Sequence, residues 1–225
     1  MKKKIHDFKS LDKHFRANLI NSIIGIKQAS LIGTLGKNNN SNLALFSSAV
    51  HLGSNPPLIA VFSRPATSSP KQTMENIVSQ GYYTINHVNQ SILARAHSCS
   101  FNFPENVSEF DACKLSDERV SEFSAPFVKE SNVSIGVRYI RHFSIEENEV
   151  VMIIGSMEIL VVNEDIMQDN GEVDLMHAQS IGVAGNNTYY NLNKLSSFDY
   201  IKKSQKNTLT DIVNREFKEN TSTAK

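Results

Sequence analysis

LIAVFSRPATSSPKQTMENIVSQGYYTINHV, residues 58–88, is the stretch from which the rest of the chain can be read. It opens on a compact apolar run, 58–62, with the character of a buried strand. Ser63-Arg64-Pro65-Ala66-Thr67-Ser68-Ser69-Pro70 follows as a hydroxyl-rich loop carrying one guanidinium. Residues 71–80 then set Met74, Ile77 and Val78 on one helical face, and Gly81 provides a C-terminal stop. Residues 82–88 return as a strand. A dianionic phosphate needs several donors converging on one spot, and hydroxyls, a helix N-terminus and a guanidinium supply them together. Ser47, Ser48, Arg64, Thr67, Ser68, Ser69, Thr73 and Asn76 are the candidates. The residues alone also fit a flexible polar loop ahead of a capped helix, the plainer reading of a local pattern of this kind.

Upstream, Ser10 is placed to cap a first helix with Leu11, Phe15 and Leu19 on its apolar face. Residues 29–35 and 42–50 read as two strands of a hairpin around Gly36-Lys37-Asn38-Asn39-Asn40. Asn55-Pro56-Pro57 is a stop before the strand at 58. Downstream, 92–97 reads as a short helix, and 98–127, with Pro104 and Pro126, as a polar excursion over the surface. Val133, Ile135, Val137 and Tyr139 alternate with polar or small residues as a half-buried strand. Residues 150–162 predict a long strand bent near Gly155. Leu209, Ile212, Val213 and Phe217 recur at helical spacing in the tail. Many short strands with few long helices favour an antiparallel barrel.

Composition excludes several classes of partner. Acidic and basic residues number 23 each, so a basic patch for nucleic acid or an anionic membrane surface is not indicated. The Met1-Lys2-Lys3-Lys4 start lacks the apolar run of a signal peptide, and no segment is apolar enough to span a bilayer. With two cysteines, Cys99 and Cys113, a reducing cytoplasm is the simpler expectation. His97, Cys99, Cys113, His142 and His177 lack the paired spacing of a zinc site, so no metal is expected, and His97 and Cys99 read as structural. There is no dinucleotide fingerprint, Walker loop or nucleophile elbow.

The order of segments resembles the flavin reductase-like FMN-binding family. Asn42-Leu43-Ala44-Leu45-Phe46-Ser47-Ser48 is similar to its Asn-x-Ala-x-x-Ser stretch, and Asn55-Pro56-Pro57-Leu58-Ile59 to its Asp/Asn-Pro-Pro strand start. Thr73-Met74-Glu75-Asn76-Ile77 is similar to its Thr-x-x-Asn-Ile element, Tyr82-Tyr83-Thr84-Ile85-Asn86 to the following strand, and Glu109-Phe110-Asp111 to its Glu-Phe-Asp. Gly185-Asn186-Asn187-Thr188-Tyr189-Tyr190 is similar to a Gly-Leu-Asp-x-Tyr-Tyr ending, with Asn186-Asn187 in place of Leu-Asp.

The resemblance implies a mainly β fold, an antiparallel FMN-binding split barrel with flanking helices. It would span 15–192, between an N-terminal extension (1–14) and a C-terminal helical tail (193–225). It further implies a homodimer with FMN at the subunit interface. Ser47, Ser48, Ser63, Arg64, Thr67 and Thr73 would bind phosphate or ribityl oxygens. Thr34, Asn42, Leu43 and Ala44 would run beside the isoalloxazine ring, backbone groups reading its polar edge. Asn76 would brace the loop, and Gly185 and Tyr189 would close the pocket. No catalytic side chain is named, which suits a flavin, because the ring itself holds the electrons. The implied activity is a flavin reductase with NADH or NADPH as donor. An FMN-binding electron carrier or flavin-linked regulator is the alternative. The pyridoxamine-phosphate oxidase branch fits less well, given the Asn-Pro-Pro and Thr-x-x-Asn-Ile elements.

Overall fold

The computed structural model describes residues 2–65, 72–120 and 123–198. The chain divides into a unit Met1–Asn193 and a second unit Lys194–Lys225. The helix expected in the tail, like Thr67 and its loop, lies outside the described residues. In chain order the elements are α1 (Lys13–Ile23), β1 (Lys27–Gln28), β2 (Ser30–Leu35), β3 (Ser41–Phe46), β4 (Val50–Ser54), β5 (Pro57–Ser63), α2 (Gln72–Gln80) and β6 (Tyr82–His87). They continue with α3 (Leu93–Ser98), α4 (Glu109–Ala112), β7 (Asp117–Glu118), β8 (Phe127–Val128), β9 (Val133–Ile145), β10 (Val150–Val162), β11 (Ile181–Ala184) and β12 (Thr188–Asn191). The fold is mainly β, as expected.

Seven strands form one antiparallel sheet in the order β3-β2-β6-β9-β10-β5-β4. Its two edge strands, β3 and β4, are consecutive in the chain. Laid flat, seven strands would separate the edges by about 29 Å. Residues Phe46 and Val50 are four steps apart, and four extended residues reach at most about 14 Å. The sheet must therefore roll up until its edges approach, leaving a seam that Ser47-Ser48-Ala49 crosses. Inside the roll, Ile32, Ile59, Val61, Tyr83, Ile85, Val137 and Ile153 pack around Ile77 of α2. The sheet bends where expected: the β9–β10 register slips between Ile154 and Gly155. A Cβ at Gly155 would stand 2.8 Å from Tyr83 Oη and 3.0 Å from the Arg138 carbonyl oxygen, so only glycine fits without displacement.

Five local expectations are corrected. Asp12, not Ser10, caps α1: its carboxylate accepts the His14 and Phe15 N–H groups at 2.9 Å each. Ser10 is instead held in a turn by Asp7. The apolar stripe of α1 does not enter a core, since Phe15 is 49% exposed and no residue of the helix is buried. Residues 42–50 are not one strand, because the chain leaves β3 after Phe46 and β4 begins at Val50. The strand expected at 133–139 runs on to Ile145, paired with β10. Finally, 98–127 is not merely a surface excursion. β2 is buried on both faces, and its outer face needs a cover. Phe110, Cys113 and Leu115 provide it, packing with Leu31, Leu43, Val88 and Ile92. Asn86 ties this layer down: its amide donates to the Leu31 carbonyl and its Oδ1 accepts the Val128 N–H, both at 3.0 Å. Among the described residues no helix is long and apolar enough to cross a membrane.

Candidate functional site

A cleft of about 1030 Å³ opens beside the seam. One wall is β3 with the crossing segment, from Asn42 to Val50. Ser63 at the end of β5, Arg64 just after it and the first turn of α2 (Gln72, Thr73) form a polar end. His97, Cys99, Phe101, Phe103 and Glu109 come from the covering layer, and Gly185-Asn186-Asn187 from the turn joining β11 and β12. Of the residues read from the sequence, Asn42, Ala44, Ser47, Ser48, Ser63, Arg64, Thr73 and Gly185 line this one cleft.

The edge strand explains the wall. β3 pairs only with β2, so one row of its backbone groups faces away from the sheet. In an antiparallel ladder the N–H and C=O of one residue point the same way and alternate along the strand. The Leu43 N–H donates outward to Glu109 Oε2 at 3.0 Å, and the Ser41 carbonyl accepts outward from Ser108 Oγ at 2.7 Å. Leu45 is next on that side. Its N–H and C=O therefore face the cleft it lines, a donor and an acceptor able to read the edge of a planar heterocycle.

At the polar end the side chains divide into free and engaged groups. Ser48 Oγ donates to the Phe62 carbonyl at 2.9 Å and accepts the Phe62 N–H at 3.2 Å. Its hydroxyl replaces a strand neighbour for β5, so its main work is to fix the seam. Arg64 is exposed, and its Nη2 donates to Asn186 Oδ1 at 3.0 Å. Four further guanidinium N–H donors remain on such a side chain. The first turn of α2 adds the favourable end of a helix dipole. Lys27 also lines the cleft.

Three expected residues stand behind the cleft instead of on it. Thr34 is fully buried, and its Oγ1 accepts the amides of Asn42 and Asn76, each at 3.1 Å. The Asn42 amide also donates to Thr73 Oγ1 at 3.3 Å. Thr34 is thus the hub that locks α2 onto β2 and β3. Asn76 braces a strand through it, where a loop was expected. Leu43 is buried in the outer core and contributes only its backbone. Tyr189 does not line the cleft. Its hydroxyl lies 2.7 Å from His97 Nδ1 and holds the imidazole that does.

Glu109, His97, Phe101 and Asn186 were not read as site residues. Glu109 belongs to the Glu109-Phe110-Asp111 motif, whose local pattern gives it no role. It is buried, and burial pushes its carboxyl above the usual range against the opposing pull of the Leu43 N–H. Burial and the neighbouring Cys113 and Glu109 push the Cys99 thiol far up, so at neutral pH it is a protonated, weakly polar wall. Among the described residues no cluster of side chains suited to a metal ion occurs.

This arrangement can be set beside known proteins. Residues 26–180 match the model of the flavin reductase like domain. A split-barrel-domain protein from Shewanella frigidimarina, provisionally assigned as a flavin reductase, is 40% identical, with a TM-score of 0.83 over 86% of this chain and 96% of that one. Nitrilotriacetate monooxygenase component B from Bacillus cereus is 20% identical, with a TM-score of 0.80 over 88% of this chain and all of the other (100%). Flavoredoxin of Desulfovibrio vulgaris is 22% identical, with a TM-score of 0.70 over 89% and 98%. The last two likenesses concern the fold alone. With the domain match covering most of the rolled sheet and its outer layer, the chain belongs to the flavin reductase-like domain family of split-barrel flavoproteins.

Proposed function

We propose that the protein binds FMN in this cleft and acts as an NAD(P)H-dependent flavin reductase. One observation carries the reading: a cationic, hydroxyl-bearing end, formed by Ser63, Arg64 and the first turn of α2, is continuous with the open backbone edge of β3. The donor set suits a phosphate at one end and a planar ring at the other. A bound flavin would supply the redox chemistry, taking hydride from a nicotinamide. The chain's own work is positional. Arg64, Ser63 and Thr73 hold the anionic end. The Leu45 backbone reads the ring's polar edge, with Ala44 beside it. Thr34 and Asn42 keep β3 and α2 in register.

A homodimer with the site at the subunit interface is part of this reading. Ile20, Ile23, Ile24 and Ile26 are 40–66% exposed around the end of α1, an apolar patch that a second copy would cover. The second reading is a flavin-binding electron carrier, because the same donor set would hold a flavin whatever supplies its electrons.

The absorbance spectrum of the purified protein, with FMN fluorescence titration, tests binding. A yellow protein, or one that quenches added FMN, is expected. A colourless protein that takes up no FMN refutes the proposal. Arg64→Ala combined with Thr73→Ala should weaken FMN about tenfold or more while sparing riboflavin, because charge-assisted hydrogen bonds contribute roughly 1.5–3 kcal/mol each. Equal loss for both ligands would place the phosphate elsewhere. NADH and NADPH oxidation with free FMN separates reductase from carrier: turnover at background with both donors removes the reductase.

A further inference from the structure

We propose that Asn186 is a specificity-determining residue, a positioning group that aims Arg64 at the phosphate of the ligand. The proposal rests on the FMN reading above. Arg64 follows the last residue of β5 and is exposed, so its long side chain would otherwise sample many rotamers. Asn186 sits on a firmer frame. The pairing of Ala184 with Thr188 closes a three-residue turn around it, Gly185 takes the left-handed conformation at φ +67°, and the Gly185 N–H donates to the Asn21 carbonyl at 3.2 Å. The two residues lie 122 positions apart in sequence and line the same cleft. Their one hydrogen bond, Arg64 Nη2 to Asn186 Oδ1 at 3.0 Å, therefore fixes the guanidinium relative to the β11–β12 turn before any ligand arrives.

The chemistry of the partner matters. An amide oxygen occupies one of five N–H donors and leaves the positive charge whole. A carboxylate there would neutralise the guanidinium and compete with a phosphate. The amide thus orients without competing. A latch that must break on binding would behave oppositely, because removing it would tighten the phosphate-bearing ligand.

Titrations of wild type, Asn186→Ala and Asn186→Asp with FMN and with riboflavin decide between these. Asn186→Ala should weaken FMN about 3–10-fold, the scale of one hydrogen bond's contribution, with riboflavin unchanged. Asn186→Asp should weaken FMN further, and added salt should recover part of that loss. Because Asn186 is exposed on a turn, both variants should melt with wild type. FMN affinity that stays constant or rises in Asn186→Ala, or falls equally for riboflavin, overturns the proposal while leaving FMN binding intact. A wild type that does not bind FMN overturns both.

Discussion

Replacing Glu109 by alanine and by glutamine tests whether the edge of β3 is held as argued. Glu109 is 6% exposed, Leu43 is fully buried, and the carboxylate oxygen is the acceptor for the Leu43 N–H at 3.0 Å. Glu109→Ala leaves that N–H buried without a partner, which costs about 1–3 kcal/mol. For a unit of this size each kcal/mol moves the midpoint by about 2–4 °C, so thermal unfolding should fall by about 2–12 °C. Glu109→Gln keeps an oxygen acceptor and removes the charge. Burial raises the folded-state pKa of Glu109 above its unfolded value. Between those values the native state keeps a proton that the unfolded chain has lost, so wild-type stability declines as pH rises through the window. Glu109→Gln has no such decline. Its midpoint relative to wild type should rise from pH 4 upward and then level off. Differential scanning calorimetry from pH 4 to 8 measures both effects. A Glu109→Ala midpoint within about 1 °C of wild type, or a wild type that gains on Glu109→Gln as pH rises, would refute the reasoning.

Thr34→Val removes the shared acceptor of Asn42 and Asn76 with little change of shape, and should cost about 1–3 kcal/mol in urea unfolding. FMN affinity should fall with it although Thr34 never touches the cleft, and an unchanged affinity would show that the hub does not position the wall. Burial lowers the pKa of His87 to about 4. The unfolded chain then binds a proton that the native state refuses, so stability should be full above about pH 6.5 and fall on acidification toward pH 4. His87→Gln should flatten that acid limb, and an unaltered limb would assign it to other groups.

The barrel was legible because its signals are local. Residues 58–62 are an apolar run and 82–88 a strand that restarts after Gly81, although their pairing with β10 and β2 came only from the folded sheet. Gly155 announced its bend because a glycine inside an apolar strand marks a close approach. The cap of α1 was misread because Ser10 and Asp12 are both competent caps, and the choice fell to the Asp7 turn that had already engaged Ser10. Residues 98–127 looked like surface because their apolar residues follow neither the 2.0 nor the 3.6 period. Their burial depends on the outer face of β2, which lies far away in sequence.

The site divides along the same line. Hydroxyls, Arg64 and the helix after them are contiguous, so their convergence was readable as chemistry. The partners that decide what those groups do come from elsewhere. Ser48 is taken up by Phe62, Thr34 is withdrawn to hold two amides, and Asn186 reaches Arg64 from the far hairpin. By itself the sequence determined most strands of the large sheet, the anion-binding composition of one loop and the family pattern, because propensity and donor chemistry are properties of neighbours. Only the tertiary structure decided which donors remain free, because a hydrogen-bonding group has few valences and the rolled sheet spends some of them on its own seam.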